Sequence, residues 1–126
     1  MTITEDFMAA LQTAEQSGDV GPLLALHADS VNLMNLTEKT WEGQEGAREF
    51  WQTYLGNFEQ IRSEFTAHRE ADGLGVMEWI ATGRLKGGRD LKYRGVSLIT
   101  LEGDKVKVFR TYYDSAAFVA PVAEEA

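Results

Sequence analysis

Two hydrophobic rhythms divide the chain. From Glu5 to about Ser17, the residues Phe7, Met8, Ala10, Leu11 and Ala14 recur at helical spacing and predict an amphipathic helix. Thr4 is the expected N-cap, with Glu5 and Asp6 at the positive end of the helix dipole. "SGD" ends this run, and Pro22 suits the first turn of a short second helix carrying Leu23, Leu24, Leu26 and His27. "SVNLMNL" alternates in part and predicts a strand ending near Asn35 or Leu36. The segment "WEGQEGAREFWQTYLGNF" predicts a longer helix, with Ala47, Phe50, Trp51, Tyr54, Leu55 and Phe58 on one broad face and Gly56 at its stop.

After Phe58 the period shortens to two. "EQIRSEFTAHREA", "GVMEWIATGRL", "LKYRGVSLITL" and "KVKVFRTYYD" are rich in β-branched and aromatic residues and predict four strands. The Gly/Asp clusters at 71–75, 86–90 and 102–105 are hairpin turns, which makes these neighbours antiparallel. The expected order is α-α-β-α-β-β-β-β, an α+β domain with helices on the concave face of a curved antiparallel sheet. One further turn is expected around Phe118, and disorder past Pro121.

Composition narrows the partners more than the fold. At 126 residues the chain fits a single domain, with its core at about 5–118 and a flexible tail at 119–126. A net charge of −8 disfavours a nucleic acid or an anionic membrane as partner. The absence of cysteine removes thiolate chemistry and Cys-based metal sites, and His27 and His68 show no metal-ligand spacing. No cofactor is expected. Neither a signal peptide nor a long apolar run is visible, so a cytoplasmic location is the expectation.

Four stretches resemble the SnoaL-like branch of the nuclear transport factor 2-like (ketosteroid isomerase-like) superfamily. They are "WEGQEGAREFW" (41–51), "EWIATGRL" (78–85), "YRGVSLITLEGDKV" (93–106) and "RTYYDSAAF" (110–118), spread over a resemblance that runs from about Phe7 to Phe118. The resemblance implies a cone-shaped α+β barrel, an apolar cavity between helices and sheet, and frequently a homodimer packed through the sheet. It also implies a small apolar ligand. Family members include isomerases, cyclases and epoxide hydrolases, alongside binding and interaction modules without chemistry. Where cyclases of this branch carry Gly-Thr-His, this chain has Gly83-Arg84-Leu85, which argues against the usual cyclase mechanism.

Strand parity selects the candidate residues. On the last strand Lys105 and Lys107 belong in water, so Val106, Val108, Arg110, Tyr112 and Asp114 are expected to face the cavity. There Asp114 would transfer protons, with Arg110 and Tyr112 as electrostatic partners; the alternative is an Arg–Asp pair closing the strand end. Glu78, a carboxylate in an otherwise apolar strand, is the reserve acid, or else it pairs with Arg94 or Arg110. Asn35 is either a ligand-orienting amide or a turn residue. Trp41, Tyr54, Trp79 and Tyr93 are candidate aromatic walls, although aromatics at such spacing are mostly core. Two functional classes remain: cofactor-independent acid/base catalysis of the isomerase, cyclase or hydrolase type, and a non-catalytic ligand-binding or protein-interaction domain.

Overall fold

A computed structural model describes residues 2–119. Its first helix, α1 (Ile3–Ser17), begins at Thr2, not at Thr4. Thr2 and Glu5 form a reciprocal capping box, while the backbone N–H and hydroxyl of Thr4 both donate to Glu70 Oε1, at 2.8 and 2.7 Å. A strand carboxylate therefore completes the helix N-terminus, where the helix dipole favours negative charge. Phe7, Ala10, Leu11 and Ala14 form the buried stripe, and Gly18 in the left-handed conformation (φ 79°) stops the helix.

A single short turn, α2 (Gly21–Leu24), follows, and His27 opens strand β1 (His27–Met34) instead of ending the helix. The fully enclosed His27 ring spends both nitrogens locally. Nδ1–H donates to Leu23 O at 2.8 Å, and Nε2 accepts from the Trp51 indole N–H at 3.1 Å. This fixes a neutral tautomer and ties α2 and β1 to the third helix.

That helix, α3 (Gly43–Gly56), starts two residues later than the apolar pattern suggests, because Thr40–Glu42 form a short strand, β2. Trp41 is paired there with Leu33 of β1, and Gly43 (φ 73°) lets the backbone turn from strand into helix. At the other end Phe58 leaves the helix and opens β3 (Phe58–Ala71). Strands β4 (Leu74–Leu85), β5 (Asp90–Glu102) and β6 (Lys105–Tyr113) follow as hairpins, and Ser115–Phe118 form one 3-10 turn. The expected disorder past Pro121 lies outside the described residues.

The six strands make one open, curved sheet in the order β2-β1-β6-β5-β4-β3. All pairs are antiparallel except β1 with β6, which run parallel. The helices pack on one face, where Phe7, Trp51, Phe50 and Phe109 interlock with ring centroids 4.9 to 6.0 Å apart. The α+β class and the helix-covered sheet agree with the sequence expectation, with β2 as the added strand. No helix among the described residues is long and apolar enough to cross a membrane.

Burial pulls the His27 pKa down from 6.5 to about 4, because the imidazolium form would lose solvent and the acceptor at Nε2. The folded state thus holds fewer protons than the unfolded one in that window. His27 contributes stability that is complete above pH 6.5 and is lost as pH falls toward 4, on the order of 3 kcal/mol. Urea titrations of the wild type and His27→Gln from pH 7.5 to 4 should show the wild type losing more stability by about that amount; parallel curves would contradict it.

Candidate functional site

Between the helices and the sheet lies a cavity of about 240 Å³, partly open at one end. Its walls are aromatic: Trp51 and Tyr54 from α3, Trp41 from β2, Trp79 from β4, Tyr93 from β5 and Phe109 from β6. Phe118, on the final turn, packs edge-on to Tyr93 with centroids 4.8 Å apart and joins the lining. Every described lining residue is uncharged.

Strand alternation explains this wall, once one irregularity is counted. In β4 and β5 the inward positions are Met77, Trp79 and Ala81, and Tyr93, Gly95, Ser97 and Ile99. In β6 the register steps from Leu101 opposite Val106 to Thr100 opposite Val108, so Lys107 is an extra, bulged residue. Val106 faces inward as expected, but beyond the bulge the parity inverts. Phe109, Thr111 and Tyr113 line the cavity, while Arg110, Tyr112 and Asp114 lie on the outer face.

The expected cavity placement of Arg110, Tyr112 and Asp114 is therefore corrected by one inserted residue. Tyr112 is 49% exposed, and Asp114 Oδ1 accepts the Ala116 N–H at 3.1 Å, capping the final turn. Glu78 is also on the outer face, where it accepts from Thr66 Oγ1 at 2.7 Å. Tyr112, Asp114 and Glu78 border one shallow outer depression, but among the described residues no ion pair joins Asp114 to Arg110, or Glu78 to Arg94 or Arg110. Arg110 Nε is buried without a hydrogen-bond partner there.

Asn35, Trp41, Tyr54, Trp79 and Tyr93 all border the cavity. The Asn35 carboxamide oxygen is taken up by its own turn, accepting from Thr37 N and Oγ1 at 3.0 and 2.8 Å. Trp79 lies across Gly95, its antiparallel partner, and donates its indole N–H to Ser97 Oγ at 2.9 Å. A Cβ at residue 95 would collide with the indole ring, so glycine there is the condition for this bond.

Sequence reasoning missed the polar partners. Ser97 Oγ lies 2.9 Å from Thr111 Oγ1, extending the Trp79 bond along the cavity floor. Across the cavity Ser63 donates twice to Glu15, from N–H to Oε1 at 2.8 Å and from Oγ to Oε2 at 2.6 Å. The Tyr54 hydroxyl approaches the same carboxylate at 3.5 Å. Burial pushes the Glu15 carboxyl up, against the Ser63 and Tyr54 hydrogen bonds that favour its charge. Burial likewise raises Tyr54 well above its ordinary value, followed by Tyr93 and the Glu15 charge, so Tyr54 remains a neutral phenol. Small polar residues at inward positions of apolar strands were the available signal for Ser63 and Ser97. Among the described residues, no three His, Cys, Asp or Glu side chains cluster closely enough to hold a metal ion.

The same arrangement of sheet and helices recurs in solved structures. A family model of the SnoaL-like domain matches residues 5–109. The chain belongs to the SnoaL-like family. No curated protein is similar enough in sequence to count as a match. Among solved structures, an NTF2-like protein from Anabaena variabilis superposes on the SnoaL-like domain with a TM-score of 0.81 at 18% identity, over 91% of this chain and 89% of that one. A protein of ketosteroid isomerase-like fold from Catenulispora acidiphila, solved in complex with trimethylamine, reaches 0.80 at 17% identity, over 93% and 90%. TerC, co-crystallised with polyporic acid, reaches 0.77 at 16% identity, over 93% and 95%. These likenesses establish the fold.

Gly95→Ala should displace the Trp79 indole and break its bond to Ser97, costing about 1–3 kcal/mol as overpacking does. Chemical denaturation with indole fluorescence reads both effects. Unchanged stability would mean that the ring does not need the glycine.

Proposed function

We propose that this SnoaL-like domain binds a small, uncharged, largely apolar molecule in the aromatic cavity. One observation carries the reading: a cavity of about 240 Å³ whose described lining has no charged side chain. An ionised ligand would lose water there without gaining a counter-charge, which is costly, whereas an aromatic or aliphatic body gains contact on every side. The size agrees. An engineered apolar cavity of about 150 Å³ takes benzene, so this one suits a substituted single ring. Asp114, Arg110, Tyr112 and Glu78 line no part of this cavity, and binding does not call on them.

The alternative is a methylated ammonium held against ring faces, a recognised use of aromatic cages. The trimethylamine complex of the Catenulispora protein favours it. Calorimetric titration with benzyl alcohol, benzoate, benzylammonium and tetramethylammonium separates the two. Benzyl alcohol should bind at least about tenfold more tightly than the three ions. Tighter binding of tetramethylammonium would establish the alternative, and equal binding of benzoate would sink the neutral-ligand reading.

The domain pairs with a second copy through the outer face of its sheet. What supports this is a row of half-buried apolar residues there, Val76, Ile80, Val96, Leu98 and Val108, around the unpartnered Arg110 Nε. Light scattering at micromolar concentration should give about twice the 14.0 kDa chain mass, falling to the monomer in Ile80→Asp. A monomeric wild type would refute the pairing.

A further inference from the structure

The hydroxyl groups around the cavity have unequal hydrogen-bonding freedom, and counting their protons gives the site a direction. At one end stand Trp79, Ser97 and Thr111, which contribute three donor hydrogens on Nε1, Oγ and Oγ1. They serve two contacts, Trp79 Nε1 to Ser97 Oγ and Ser97 Oγ to Thr111 Oγ1, both at 2.9 Å. Whichever hydroxyl donates in the second contact, one O–H is left over. No other acceptor for Ser97 or Thr111 is present among the described side-chain hydrogen bonds. Both residues border the cavity, and both are nearly closed to solvent, at 6% and 9% exposed. This end has a spare donor.

Ser63, aligned through Ala81 with Tyr93, lies four residues along β5 from Ser97, and at that end the balance is reversed. The Ser63 hydroxyl spends its proton on Glu15 Oε2 at 2.6 Å, the length of a charge-assisted bond. Tyr54 directs its own toward the same oxygen at 3.5 Å. With these protons drawn toward Glu15, what Ser63 and Tyr54 have free is oxygen lone pairs. Ser63, Tyr54 and Tyr93 border the cavity; Glu15 stands behind them on α1 and does not. This end has spare acceptors, held in that sense by a carboxylate that no ligand touches.

We propose that the cavity selects a one-ring aromatic molecule carrying both a hydroxyl and a carbonyl group. The hydroxyl donates to the Ser63 and Tyr54 oxygens, and the carbonyl accepts from the Ser97–Thr111 pair. Glu15 is a positioning residue: it decides that the first end accepts. The assignment rests on the reading of the cavity as a site for neutral ligands. It adds which neutral ligands bind.

Calorimetric titration of the wild-type domain with 4-hydroxyacetophenone, 4-fluoroacetophenone, 4-ethylphenol and ethylbenzene tests it. Fluorine keeps the size of the hydroxyl without its proton, and the ethyl group removes the carbonyl. 4-Hydroxyacetophenone should bind at least about tenfold more tightly than either single-function analogue, because each analogue leaves one polar end unpaired. In Glu15→Gln, whose amide donates as well as accepts, the preference for hydroxyl over fluorine should fall below about threefold, with ethylbenzene affinity unchanged. If the four compounds bind the wild type alike, the selection is wrong and the neutral cavity stands. If none binds, ethylbenzene included, both fall. The wild-type series needs no variant, so a poorly folding Glu15→Gln cannot hide the answer.

Discussion

An extra residue at Lys107 determines which half of the last strand meets the helices. Without that bulge the parity begun at Val106 would carry Val108, Arg110 and Tyr112 inward, placing a guanidinium against Trp51 and Phe50. With it, Phe109 joins the aromatic cluster and Thr111 comes within reach of Ser97. The bulge also lets Lys105 and Lys107 both find acceptors at the strand edge, Ala25 O at 2.7 Å and Ser30 Oγ at 2.6 Å. The aromatic wall, the Ser97–Thr111 contact and the outward placement of Arg110, Tyr112 and Asp114 therefore share one cause.

Rigidity around the cavity comes from bonds that cross between elements. His27 joins α2, β1 and α3 through its two nitrogens, and Glu15 joins α1 to β3 through Ser63. Glu70 reaches from β3 to the start of α1, placed there by a second register shift between Phe65 and Ala67. Edge-to-face aromatic pairs fill the space between these ties, Trp51 with Tyr54 at 88° and Trp79 with Tyr93 at 89°. Walls fixed from behind in this way can surround unfilled space without collapsing into it.

Much of the fold was legible because it obeys local rules. The helical stripe of α1, the hairpin signals at Asp72-Gly73 and Gly103-Asp104, and the alternation in β4 and β5 are each written within about a dozen residues. The aromatic positions Tyr54, Trp79 and Tyr93 were visible for the same reason. What failed depended on pairing across the sheet. Nothing near Lys107 marks a bulge, since its cause is registration with Thr100 and Leu101 on another strand. Thr4 read as a cap because Glu70, its actual partner, lies 66 residues away. Glu15 has no local feature that distinguishes it from other acids on a helix, and its contacts become visible only once Ser63 and Tyr54 are beside it.

Asp114 has a structural part at the end of the sheet. Its carboxylate starts the four-residue turn that carries Phe118, and Arg89 holds the far side by donating to Ala117 O at 3.0 Å. None of the residues of that turn is buried. The last aromatic of the cavity wall is thus held from outside the cavity, by one aspartate and one arginine that do not line it.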